Sequence, residues 1–397
     1  MKAAIALFAS FCLLLLLFSW FNLVDWIGHV LSSRLLILGT ILPSLLILLR
    51  KQLAKKPVIS APSQQVIKAK TVSIGSFLLL LLLYGHLMSQ FGVAPFTSFV
   101  FEYLLLLPLL LLLLPRYLSF MSKRQTEPVD EYARLGFCLL RQQPFYLVEH
   151  KALLLKSLVK LLFIPIMLGA LFDITEQLLL FNWSLHPLAL VKGLFFFGLA
   201  FDLIIASIGY VFASKLLDND VKSTDATLSG WLVCMICYPP LLIIYQWFAR
   251  QTDDYLWHDW LSMDHPLYWF WAFIITLSWL TYWLSTASFG WYFSNLTWRK
   301  LIDVGPYKYS KHPAYIAKNI YWWLHTVPFY GVSNHYELLR NLAGLTFVSS
   351  IYYLRAKTEE RHLMQFPEYQ AYARHIASQG ALARLKKLLL PNKVSQS

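Results

Sequence analysis

Gly305–Asn319, GPYKYSKHPAYIAKN, concentrates two Gly/Pro breaks, three tyrosines, three lysines and a histidine in a chain that is otherwise largely apolar. Gly305-Pro306 interrupts any helix, and Pro313 suits the first turn of the next one, which puts His312 at its N-terminal mouth. Tyr315, Lys318 and Asn319 then follow at i, i+3 and i+4 and share a face. Free backbone N–H groups beside cations and hydroxyls suit an anion or a zwitterion. The same residue types also suit plain anchoring at a membrane interface. A second group lies in YYLRAKTEERHLMQFPEYQAY, residues 352–372. Arg355 and Glu359 are spaced to pair along one helix face, Glu360 adds a second carboxylate, and Tyr369 and Tyr372 stand three apart. Alone, it reads as a charged helix leaving a bilayer. No metal site is expected: Cys234-x-x-Cys237 lies inside the apolar run GWLVCMICYPPLLIIY, a setting for packing rather than for redox or metal chemistry.

These groups need elements to hold them. The 397 residues are 58% hydrophobic and only 14% charged, with a mean hydropathy of +0.54. Soluble domains carry about 25% charged residues. The composition implies an all-α, polytopic transmembrane helix bundle. Ten spans are expected, at roughly 3–27, 35–49, 72–90, 97–115, 152–172, 187–212, 229–249, 266–286, 314–331 and 337–355. The first apolar run, Ala3 to Trp26, exceeds a signal h-region and lacks a small-x-small cleavage pattern, so it reads as a retained helix. The second contains Pro43 and is expected to be tilted or broken.

The net charge of +13 sits in alternate loops. Arg50, Lys51, Lys55, Lys56, Lys68 and Lys70 follow span two, and Arg116 to Lys151 follow span four. Lys215 and Lys222 follow span six, Arg299, Lys300, Lys308 and Lys311 follow span eight, and Arg355 to Lys387 follow span ten. The intervening loops carry Asp173, Glu176, Asp253, Asp254, Asp259 and Asp264. This is the positive-inside pattern, with both termini and the 305–312 segment cytoplasmic, in an integral protein of a bacterial cytoplasmic (inner) membrane. No basic face repeats with stacking aromatics, so nucleic acid is not an expected partner. The loop holding Pro57 and Pro62 reads as flexible, and part of 116–151 as either a surface amphipathic helix or a solvated loop. Asp202 lies mid-span, either a functional acid or an interhelical contact. The domain reading is 1–290, multi-span and of unassigned role, then 291–397, carrying the two polar groups and a cytoplasmic tail.

Spans nine and ten are joined by a short turn near Gly331–Asn334, so their outer ends return to one side. That brings His312, Tyr315 and Lys318 toward Arg355, Glu359 and Glu360. The order GPYKYSKHPAY, hairpin, RAKTEERHLMQFPEYQAY resembles the isoprenylcysteine carboxyl methyltransferase family, a pattern shared by membrane phospholipid N-methyltransferases. The resemblance covers about 295–375 only. It implies a catalytic helical hairpin and an S-adenosylmethionine site. Tyr307, Tyr309, Lys311, His312, Tyr315 and Lys318 would fall on the cofactor-binding side, and Arg355, Glu359 and Glu360 on the catalytic one. The acceptor would be a lipid or lipid-modified small molecule entering from the bilayer. Lys311 stands where the family usually has Arg, Ala317-Lys318 replaces a Gly-plus-apolar pair, and Pro367 replaces a Gly. Two other readings stay open: a sterol-reductase-like enzyme using NADPH, whose Tyr-x-x-His-Pro-like loop is similar, and a transporter or assembly partner with a degenerate hairpin.

Overall fold

The structure, a computed structural model, describes residues 2–54, 63–125 and 127–389. Lys55, Lys56, Pro57 and Pro62 of the expected flexible loop, and the tail 390–397, lie outside the described residues. The chain is all-helical, 75% helix with almost no strand. It divides into two compact units: Met1–Thr224 with Gly290–Arg299, and Asp225–Phe289 with Lys300–Ser397.

The first unit contains α1 (Lys2–Trp20), α2 (Leu23–Ile27), α3 (His29–Leu53), α4 (Gln64–Ser89), α5 (Ala94–Ser122), α6 (Glu131–Leu139), α7 (Leu147–Leu179) and α8 (Pro187–Val211). Helices α1 and α3, α4 and α5, α5 and α7, and α7 and α8 pack in pairs. A two-residue antiparallel pairing, Ser223 opposite Trp298 and Thr224 opposite Thr297, ties the unit's two chain segments together. The loop 116–151 does contain a helix, α6, capped by the Asp130 side chain accepting from Ala133 N–H. It is pressed onto α4: a Cβ on Gly136 would come within 1.9 Å of the Ala69 carbonyl oxygen, so only glycine fits.

Two cations counted with the loops are interior. Lys70 is 2% exposed, with Nζ 2.9 Å from Asp130 Oδ2 and 2.8 Å from Gln125 Oε1. Arg299 is 4% exposed and donates to the Gly209 carbonyl at 2.7 Å. Lys70 ties α4 to the segment that caps α6, and Arg299 ties its own segment to the end of α8. Asp202 is buried in α8.

The second unit contains α9 (Leu228–Met235), α10 (Leu242–Ala249), α11 (Trp257–Trp260), α12 (Tyr268–Phe289), α13 (Pro313–Thr326), α14 (His335–Leu363), α15 (Pro367–Gln379) and α16 (Ala381–Leu389). Helix α13 packs against α12 and α14, and α14 also packs against α9 and α10.

Among the described residues, six helices rather than ten are long and apolar enough to cross a bilayer: His29–Arg50, Gln64–Ser89, Ala94–Ser122, Leu147–Leu179, Leu188–Val211 and Tyr268–Tyr292. The other four expected spans fail for separate reasons. The first stops at Trp20, and Asn22 turns the chain in a left-handed conformation (φ 48°). The stretch 229–249 is split between α9 and α10 around Pro239-Pro240, where proline cannot continue the helical ladder. Helix α13 has 14 residues, about 21 Å at the α-helical rise, and ends at Val327 (φ 43°). Helix α14 is long enough at 29 residues, but His335, Glu337, Arg340, Asn341 and Arg355 make it too polar. Pro43, expected to break or tilt the second span, sits inside an unbroken 25-residue helix.

Candidate functional site

The loop before α13 is built on the end of α12. Gly305 adopts φ +60°, and a Cβ there would lie 2.3 Å from Ser288 Oγ, so the turn Gly305–Lys308 uses both the backbone freedom and the small size of glycine. Tyr307, buried in that turn, sets its ring edge-on to Phe289 at 5.2 Å. Helix α15 pins the loop from the other side, with Tyr372 Oη donating to the Tyr307 carbonyl at 2.7 Å and lying 3.1 Å from that of Ser310. The loop is thus clamped at both ends before Pro313 starts α13, and His312 holds the N-cap position.

From this mouth the side chains meet α14. His312 Nε2 is 3.1 Å from Glu360 Oε1, and Lys311 Nζ forms an ion pair with the same carboxylate. The His312 hydrogen bond and the Lys311 ammonium outweigh partial burial and hold the Glu360 carboxyl down at about 2. Tyr315 Oη donates to Glu359 Oε1. The Tyr315 ring stacks between His312, 5.8 Å away, and Tyr352, 5.9 Å away. Arg355 is 6% exposed, and its guanidinium carbon lies 5.3 Å from the Tyr315 centroid and 5.8 Å from that of Tyr238.

Lys311, His312, Tyr315, Arg355, Glu359 and Glu360 therefore form one cluster at the junction of α13 and α14. Lys318 stands beside it, with Nζ 4.2 Å from the Tyr282 centroid on α12 and 5.9 Å from that of Tyr352. Tyr307 borders the cluster through its electrostatics: burial pushes its phenol well up, and the Glu359 charge adds to this. Tyr309 does not join. It is half exposed and opens onto a separate cleft of about 630 Å³ with Asp303, Lys308, His375 and Arg384. Asn319 donates back to the Tyr315 carbonyl of its own helix at 3.1 Å.

Sequence reasoning passed over three aromatic residues that wall this cluster. Tyr352 carried a signal, standing three residues before Arg355 on the same helix face. Tyr238 and Tyr282 carried none, because only the packing of α9, α10, α12, α13 and α14 brings them near. The arrangement offers a buried guanidinium, two carboxylates one helical turn beyond it, and aromatic faces between them. It is a setting for a molecule bearing both charge signs, and a cationic centre is favoured over a ring face. No family model, no curated protein and no solved structure matches the chain.

Proposed function

We propose that the chain is an integral-membrane methyltransferase that uses S-adenosylmethionine and acts on a lipophilic or membrane-associated acceptor. The observation that carries this reading is the buried Arg355 guanidinium over Tyr315 and Tyr238, with Glu359 one helical turn away and bonded by Tyr315. The methionine end of the cofactor is a zwitterion, and this donor set fits it: Arg355 for its carboxylate and Glu359 for its ammonium. When bound, the cofactor supplies an electrophilic methyl group on a sulfonium.

The remaining chemistry belongs to this chain. The rings of Tyr315 and Tyr238 keep water from the guanidinium, which strengthens its hold on an anion. Tyr315 fixes the Glu359 carboxylate, and the Lys311–His312–Glu360 group anchors the helix mouth. Methyl transfer demands alignment and exclusion of water more than a strong base, so rigid walls are the relevant contribution. If the acceptor is an amine, its proton goes to Glu359 or Glu360. The catalytic hairpin of α13 and α14, cytoplasmic termini and a place in a bacterial inner membrane all belong to this proposal. So does any crossing beyond the six span-capable helices.

Calorimetry of the purified protein with S-adenosylmethionine, S-adenosylhomocysteine and NADPH tests it. Binding of the first two is the expected result. Binding of NADPH alone would move the chain to the reductases, and binding of none would remove the enzymatic reading.

A further inference from the structure

Helix α16, ALARLKKLL, is nine residues long, about 13 Å, far short of a bilayer crossing. Three of its leucines are turned outward: Leu382, Leu385 and Leu389 are 70%, 51% and 70% exposed. At 100° per residue these three fall within one narrow stripe. Arg384 and Lys386 are also exposed, and the sequence of the same helix adds Lys387. No acidic residue lies within the helix.

The position of α16 is set by hydrogen bonds within the second unit. Its first N–H, on Ala381, donates to the Tyr309 carbonyl at 2.8 Å, and the Arg384 guanidinium lies 6.0 Å from the Tyr309 ring centroid. Tyr309 ends the turn that rests on Ser288 and Phe289, the last residues of α12. Helix α12 is long and apolar enough to span a membrane, so α16 begins where that span ends.

We propose that α16 is a membrane-surface helix that recognises anionic lipid headgroups. The leucine stripe enters the headgroup–acyl boundary while Arg384 and Lys386 meet lipid phosphates. Charge complementarity and depth together select this occupant: a leucine stripe flanked by cations at the end of a membrane span matches an anionic bilayer surface. Helix α16 is bonded to Tyr309, next to the loop that carries Lys311 and His312, so seating it on lipid would also steady that loop. The proposal does not depend on what the loop binds.

The test is amide hydrogen exchange on the full chain, read over 381–389, in three settings: detergent, nanodiscs of phosphatidylcholine alone, and nanodiscs that also contain phosphatidylglycerol. Exchange should be slowest with phosphatidylglycerol, and high salt should reverse the gain. The pair Arg384→Gln and Lys386→Gln should cost about twenty-five-fold of that protection, at about fivefold per cation. Leu385→Ser should weaken protection in both kinds of disc. Peptides from α15 report whether the variants still fold. Equal exchange in both discs would overturn the anionic preference. Protection in detergent that rises with protein concentration would assign the stripe to a second copy. Protection in all three settings at any concentration would assign it to the chain's own segment 390–397. Either of these results overturns the proposal.

Discussion

Glu359 is where charge and size can be separated. Tyr315 Oη can donate to a glutamine oxygen as well as to a carboxylate, so Glu359→Gln keeps the contact and removes only the charge. On the proposed reading, the cofactor's ammonium would then lose its carboxylate partner, a charge contact worth about 2–5 kcal/mol when desolvated. S-adenosylmethionine binding or turnover is expected to fall about a hundredfold, since about 1.4 kcal/mol is tenfold. Glu368 is exposed on α15, and Glu368→Gln should change little. Near-normal binding in both variants, at equal membrane expression, would take Glu359 out of the site.

Glu360 gives a prediction with a sign. Its folded-state value is lowered to about 2 from an ordinary 4.5, chiefly by the His312 hydrogen bond and then by Lys311. A carboxyl lowered on folding contributes stability above its unfolded value and loses it as pH falls toward the folded one. The protein should therefore lose thermal stability between about 4.5 and about 2, and Glu360→Gln should flatten that part of the profile. The group is partly open to solvent, so the effect should be modest. A steeper acid slope in the variant would contradict the assignment.

At the scale of elements, the turn before α13 depends on Gly305. Gly305→Ala meets two penalties: a left-handed backbone, costing about 1–2 kcal/mol for an L-residue, and a clash with Ser288 Oγ. Adding Ser288→Ala relieves only the clash. Melting of the single and double variants should show partial recovery, leaving about 1 kcal/mol of backbone strain. Full recovery would mean that the φ at this position is of no consequence. The turn was legible because Gly-Pro and His-Pro punctuate the sequence. The clamp from Tyr372 was not, since nothing local shows that a tyrosine on α15 reaches back to the Tyr307 carbonyl. The broken 229–249 stretch was legible in principle: two consecutive prolines at 239 and 240 outweigh the hydropathy on either side.

Across the whole molecule, composition made readable the helical character and the presence of helices long and apolar enough to cross a bilayer. The count of spans was less readable. Hydropathy averages over a window and does not register Asn22 or Val327, which end the segments around them, while the polar residues of 337–355 were visible in the sequence and outweigh its apolar ones. Charge alternation was blunted in the same way, since Lys70 and Arg299 fold inward against Asp130 and the Gly209 carbonyl. One consequence of topology stays open to direct measurement within the second unit. The segment holding Trp257 and Leu261 packs with Tyr268, at the N-terminal end of α12. The start of α16 is bonded to Tyr309, at the C-terminal end of the same helix. If α12 crosses the bilayer, these two places face opposite compartments. Reporters in the 250–265 loop and at Ser397 should give opposite signals, with the cytoplasmic one at Ser397 because Lys308, Lys311, Arg374 and Arg384 gather on that side. Two cytoplasmic signals would mean that α12 does not span. The 305–312 loop would then not lie at a membrane edge, and the proposed lipophilic acceptor would lose its route to the cluster around Arg355.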